Sequence, residues 1–203
     1  NHITLTKQLR MQADDETLAW IDSFTKKQTI NKIPHHDYEI KIFDSPEVLD
    51  LEIKKKASSE NSRLSRVIAN YDWDYKKGKK PEDTSKKYWE VDVWIEDQRW
   101  HKPWNYEKKK IKEQAWAEQA HTIAEVGSTY TIQGFDLNYA GVILGKSVKY
   151  RNGKIVYDPS ETSNGKVTKN RTMEDGTKQN FAKELLKHEI RVLMTRGVNG
   201  LYI

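Results

Sequence analysis

Tyr139-Ala140-Gly141-Val142-Ile143-Leu144 is a continuous apolar run. A strand reads this way when both of its faces are covered, as in a parallel sheet with helices on either side. Other segments fit around it. Residues 66–71 (Arg-Val-Ile-Ala-Asn-Tyr) form a second short apolar run, residues 38–43 alternate like a strand, and Gly200-Leu201-Tyr202-Ile203 is a β-type run at the end of the chain. Helical signals separate them. Asp14-Asp15-Glu16 places acid before Leu18, Trp20, Ile21 and Phe24, and Ser45-Pro46 opens a stretch through Val48, Leu49, Leu51 and Ile53. Residues 108–120, with Ile111, Ala115, Trp116 and Ala120, and residues 178–195 also read as helices. Residues 123–126 suit a short strand, residues 148–157 a hairpin turning at Asn152-Gly153, and residues 160–176 a polar loop. Alternating strands and helices predict one α/β domain over 1–203 with a mostly parallel sheet. A Trp-rich insertion at about 72–106 interrupts it, and within that insertion only residues 91–95 look like a strand.

Composition narrows the classes. The chain has 203 residues, enough to bury a core without disulfides or metals. Charged residues make up 32%, but 10 Tyr and 7 Trp argue for a folded domain, because disordered chains lack aromatics. With no Cys there is no thiolate metal site, disulfide framework or cysteine nucleophile. No apolar run approaches the ~18 residues of a membrane span, and no signal peptide is visible. The expectation is a cytoplasmic protein without membrane partners. A net charge of +5 permits an anionic partner without identifying one. The chain does not begin with Met and stops inside an apolar run, so the expectation is a fragment of a longer protein.

Residues 140–147 (Ala-Gly-Val-Ile-Leu-Gly-Lys-Ser) approach the phosphate-loop pattern G-x-x-x-x-G-K-[ST]. The likeness fails on physics. The first position is Ala, the interior wants to be a strand, and a hairpin follows where a helix N-terminus is needed. Three other clusters stand beside predicted sheet elements: Leu5-Thr6-Lys7-Gln8-Leu9-Arg10-Met11, residues 127–136 (Gly-Ser-Thr-Tyr-Thr-Ile-Gln-Gly-Phe-Asp), and Arg191-Val192-Leu193-Met194-Thr195-Arg196-Gly197. Singly, each has an ordinary reading. Arg10 suits a surface, Gln133-Gly134 a helix stop, and Arg191 and Arg196 the negative end of a helix dipole.

Together they resemble the second-domain motifs of superfamily-one DNA/RNA helicases. Leu5-x-x-Gln8-Leu9-Arg10-Met11 is similar to L-x-x-Q-Y-R-M, Ser128-Thr129-(x)3-Gln133-Gly134-x-Asp136 to S-x-x-x-x-Q-G-x-[DE], and Leu193-Met194-Thr195-Arg196-Gly197 to A-L-T-R-A. The nearest likeness is to the Schlafen-like DNA/RNA helicases, a bacterial family filed as a conserved domain of unknown function. Their Q-G-[FL]-[DE]-x-x-Y-x-G-V-I-[IL]-G and R-V-L-x-T-R-G stand here at 133–145 and 191–197. The departures are Leu9 for Tyr, Asp136 for Glu and Gly197 for Ala.

The resemblance implies a RecA-like (P-loop NTPase-type) three-layer fold, the C-terminal of two such domains. It implies ATP and Mg²⁺ held mainly by a missing N-terminal RecA-like domain, and single-stranded DNA or RNA as partner. By motif position Arg196 is the arginine finger, Arg10 the second γ-phosphate arginine and Gln133 the sensor. Gly134, Asp136, Gln8 and Arg191 belong to ATP binding, and Ser128, Thr129 and Thr131 to nucleic-acid backbone contacts. No metal ligand is expected within the chain itself.

Other constellations carry less. Trp73, Trp89, Trp94, Trp100 and Trp104, interleaved with lysines, could stack single-stranded bases, but anchoring an irregular segment to the core is the commoner use. Lys76–Lys80 and Lys108–Lys110 read as solvated faces. Glu39-Ile40-Lys41 mimics half of a metal-dependent nuclease site but lacks an acidic partner, and His35-His36 point apart in a loop. The rivals to a helicase half are therefore a nucleic-acid binding or regulatory module without ATPase activity and, behind it, a nuclease built on Glu39 and Lys41.

Overall fold

The computed structural model describes residues 11–35, 37–105 and 114–203. Its centre is a four-stranded, wholly parallel sheet in the order β1–β10–β5–β2, where β1 is Glu39–Lys41, β10 Gly197–Tyr202, β5 Leu137–Ile143 and β2 Arg66–Ala69. The run that opened the sequence reading is thus an interior strand. Its side chains alternate between two cores. Ala140 and Val142, with Ile68 and Leu201, join one core, whereas Ile143, with Val67, Ala69 and Tyr202, joins the other.

The first core is closed by α1 (Asp15–Asp22) and α4 (Ala182–Met194), the second by α2 (Pro46–Ala57), which makes three layers. Local chemistry starts each helix. Asp14 accepts from Thr17 N at 2.7 Å to cap α1, and Ser45 accepts from Val48 N at 3.3 Å, ahead of Pro46, to cap α2. A π-turn, Ser23–Lys27, extends α1 to Gln28, whose φ of 61° ends it. In α2 only Leu49 and Ile53 of the apolar positions face the sheet; Val48 and Leu51 are exposed.

The Trp-rich segment contains a hairpin of β3 (Glu90–Ile95) and β4 (Gln98–Pro103), the latter not signalled by the sequence. Fully buried Trp104, with Tyr71 at 5.5 Å and Trp73 at 6.3 Å between ring centroids, fixes this segment to the second core. Lys102 Nζ ties it to α2, donating to Asp50 Oδ1 at 2.5 Å and to Ile123 O at 3.0 Å. Anchoring is what Trp73 and Trp104 do; Trp94, at 62% exposure, does not take part.

The hairpin of β6 (Val148–Arg151) and β7 (Lys154–Tyr157) turns at Asn152 and Gly153, both at positive φ. Three expectations change. Residues 106–113, including Lys108–Lys110, lie outside the described residues, and the part of the expected 108–120 helix that is described forms 3₁₀ turns, Trp116–Glu118 and Ala120–Ala124. Thr122 and Arg66 take up the backbone carbonyls there. Arg66 Nη2 donates to Ala117 O at 2.6 Å and to Gln119 O at 3.2 Å, which stops an α-helical ladder from forming. The expected strand at 123–126 contracts to isolated bridges, Val126 to Trp104 and Gly127 to Ile68. Residues 160–176 hold a 3₁₀ turn, a short helix α3 (Gly165–Thr168) and the start of a small hairpin, β8 (Arg171–Thr172) with β9 (Lys178–Gln179). No helix among the described residues is long and apolar enough to cross a membrane.

Candidate functional site

Two of the three sequence clusters meet at the amino edge of the parallel sheet. Leu137 N donates to Arg196 O at 2.9 Å, so β5 and β10 begin side by side and Asp136 and Arg196 become neighbours. Arg196 Nη1 donates to Phe135 O at 3.3 Å and lies 3.7 Å from Asp136 Oδ1. The arginine is 8% exposed. What delivers it is α4. Leu186, Ile190, Leu193 and Met194 are fully buried, and Thr195 ends the helix by donating its hydroxyl to Arg191 O at 2.9 Å.

Gly197 explains its own departure from Ala. A bulge between Gly197 and Gly200 folds the chain so that a Cβ on Gly197 would lie 2.0 Å from Gly200 O. Gln133 and Gly134 are exposed. Gly134 has φ +79°, and no atom lies within 4 Å of where its Cβ would stand, so its backbone is open to close approach.

The preceding turn holds the other predicted residues. Ser128 Oγ donates to Asn105 Oδ1 at 2.7 Å and accepts from Tyr130 N at 3.3 Å, while Ser128 N donates to Thr131 Oγ1 at 2.7 Å. Ser128 is fully buried, Thr129 and Thr131 partly, and buried Ile132 pins the turn to the first core. This turn flanks β2 through the Gly127 bridge, and the Tyr130 ring meets Tyr71, just past the carboxyl end of β2, edge-on at 5.5 Å. Ser128 and Thr129 therefore follow the bridge beside the outer strand β2, and Thr131 stands two residues before Gln133 on the connection that leads to the amino edge. Asn105 had no local sequence signal, because it reaches Ser128 across 23 residues.

Arg191 sits elsewhere. Its Nε donates to Asp22 Oδ1 at 2.8 Å and binds α4 to α1. Burial works against the charged Asp22 carboxylate, but the hydrogen bonds from Lys26 and Arg191 outweigh it and hold the carboxyl below its usual range. Gln8 and Arg10 lie outside the described residues; just beyond them Gln12 N donates to Val198 O at 2.9 Å, at the start of β10.

The phosphate-loop likeness at 140–147 is occupied by the protein itself. Gly145 N donates to Asn70 Oδ1 at 2.6 Å and Ser147 N to Asp72 Oδ2 at 2.7 Å, which leaves a carboxylate where a phosphate would sit. Beside it Glu189 Oε1 accepts from Tyr71 N at 2.9 Å. Burial pushes the Glu189 carboxyl up to about 7; the Tyr71 N–H opposes this and the Asp72 charge adds to it.

Glu39 is likewise engaged. Its oxygens accept from Lys56 at 2.8 Å and Tyr202 OH at 2.9 Å and pair with Lys41 at 2.5 Å. Burial raises this carboxyl, but these partners prevail and hold it at about 2. Two ammonium groups occupy the oxygens that a nuclease metal would need, and no group of three or more His, Cys, Asp or Glu able to hold a metal occurs among the described residues.

The class defined by these features is a three-layer α/β domain with a parallel sheet and an arginine, a carboxylate and an open glycine gathered at its amino edge. The family model for the Schlafen group 3 DNA/RNA helicase domain matches residues 1–203, and the chain belongs to that family. It is 32% identical over 220 residues to the uncharacterized protein YPL245W of Saccharomyces cerevisiae, an alignment that covers 98% of this chain and 44% of the yeast protein. The chain thus spans less than half the length of that relative. No solved structure matches.

Proposed function

We propose that this chain is the C-terminal, RecA-like half of an ATP-dependent DNA or RNA helicase or translocase, completing an ATP site shared with a preceding RecA-like domain. The observation that carries this reading is the placement of Arg196 beside Asp136, two residues after the open Gly134, before the paired starts of β5 and β10. The residues fit part of a nucleotide: an open backbone N–H at Gly134, a carboxylate at Asp136 and a guanidinium at Arg196. Mg²⁺ would be held mainly by the preceding domain, and ATP bound between the two would supply the γ-phosphoryl group.

In this reading Arg196 releases the Phe135 carbonyl and presents its planar fork to the γ-phosphoryl oxygens, stabilising charge that grows in the transition state. Gly134 donates its N–H from a position where no Cβ intrudes. Gln133 senses the γ-phosphate, and Asp136 accepts from the ribose. Arg10 is the second phosphate arginine, and Gln8 accompanies it. Arg191 acts through its ion pair with Asp22, keeping α4 and hence Arg196 in place. Thr129 and Thr131, on the turn built by Ser128, contact the backbone of a single strand. Relative movement of the two domains during turnover then steps that strand.

In the full-length protein, Arg196→Ala lowers nucleic-acid-stimulated ATP hydrolysis about 10³-fold or more while nucleotide binding persists. Unchanged turnover would refute the finger assignment. A binding module without ATPase activity instead predicts strand binding with no hydrolysis in the full-length protein.

A further inference from the structure

A cleft of about 510 Å³ lies on the α2 side of the sheet and has no part in the site above. A volume of this order suits a nucleotide-sized ligand. Its walls carry three lysines, Lys41, Lys55 and Lys56, against one carboxylate, Glu52, with the Tyr139 ring and Asn199 beside them. The construction is specific. Gly200 lacks the Cβ that would come within 2.7 Å of the Tyr139 ring, so the tyrosine lies down against β10 and forms a flat wall. Lys56 Nζ stands 4.1 Å from the centroid of that ring.

The charge is unbalanced. Glu39 pairs with both Lys41 and Lys56, while Lys55, with a side chain 78% exposed, reaches Glu52 only at 3.7 Å. Lysines at the end of α2 complement its dipole, but Lys41 comes from a strand, so the dipole does not account for the cluster. The strands connect cleft and site. Tyr139 follows Asp136 on β5 by three residues, and Asn199 follows Arg196 on β10 by three.

We propose that this cleft binds the sugar-phosphate backbone of a single-stranded nucleic acid, with Lys41, Lys55 and Lys56 on its phosphates and Tyr139 and Asn199 against a nucleoside. It lies toward the β1 edge of the sheet, whereas the Ser128 turn flanks β2 at the other edge. With strands about 4.8 Å apart, a strand touching both crosses the width of the sheet. This rests on the nucleic-acid reading above and adds to it a second, separate contact region.

The test measures anisotropy of a labelled single-stranded oligonucleotide of about 12 nucleotides bound to the full chain, from about 50 to 200 mM salt. Lys55→Gln leaves the fold alone, and Lys41→Gln leaves Glu39 with Lys56 and Tyr202. Each substitution is expected to weaken binding about fivefold at 0.1 M salt and to reduce the salt slope by about 0.7, the double variant by about twice that. If the unsubstituted chain binds and both variants keep its affinity and slope, the cleft assignment is overturned while the Ser128 region stands. If the unsubstituted chain shows no salt-dependent binding, the nucleic-acid reading itself fails. Thymidine monophosphate is the competitor. If it displaces the oligonucleotide at equal concentration, a free nucleotide and not a strand occupies the cleft, and the proposal falls.

Discussion

Glu189→Gln tests the buried end of the fold by changing one proton-binding group and almost no volume. Glu189 is 8% exposed, no salt bridge to it occurs among the described residues, and burial pushes its carboxyl from 4.5 up to about 7. Because the folded state holds this proton more tightly, it binds more protons than the unfolded chain between about pH 4.5 and 7. Stability must therefore fall as pH rises through that window and level off above 7. At about 1.4 kcal/mol per unit between the two values, the loss reaches about 3 kcal/mol. The carboxyls held low, Glu39 and Asp158, both at about 2, act with the opposite sign but do so below this window. Glutamine keeps the oxygen that accepts from Tyr71 N and cannot ionise. The variant should match the parent near pH 4.5 and exceed it by about 2–3 kcal/mol at pH 8, or by roughly 5–10 °C in Tm for a chain of this length. Urea unfolding at half-unit pH steps measures this. Parallel stability curves for parent and variant across the window would show that burial does not hold the Glu189 proton.

Other substitutions test other joints. Gly141→Ala places a Cβ 2.7 Å from Ile53 Cγ1 and 2.8 Å from Leu49 Cδ2; it should cost about 1–3 kcal/mol, and pairing it with Ile53→Val should restore part of that in thermal melts. Asp50→Ala strands buried Lys102 and should cost about 3–5 kcal/mol in urea unfolding, more than Asp50→Leu combined with Lys102→Met. Trp104→Ala should cost about 3–5 kcal/mol and Trp94→Ala within about 0.5 kcal/mol, since only the first ring is buried; equal losses would contradict the anchoring role.

Much of this molecule was readable from sequence because its signals are local. A run apolar at every position had to be an interior strand, Asp14 and Ser45 had to cap helices, and Asn152-Gly153 had to turn a hairpin, since each follows from residues within a few positions of one another. The motif order gave the family by the same route. Tertiary structure decided what depends on distant partners. Arg66, through carbonyls some 50 residues away, holds 114–124 as tight turns and not as a helix. Arg191, which reads as a site residue beside Arg196, is turned instead to Asp22 across 169 residues. Gly145 and Ser147, spaced like a phosphate loop, donate to Asn70 and Asp72 instead. The cleft between β1, α2 and Tyr139 has no sequence spacing at all. A side chain's type and its neighbours along the chain determine what it can donate, accept or bury. Which partner it meets is set by how the strands are ordered in the sheet, and that order exists only once the whole core has closed.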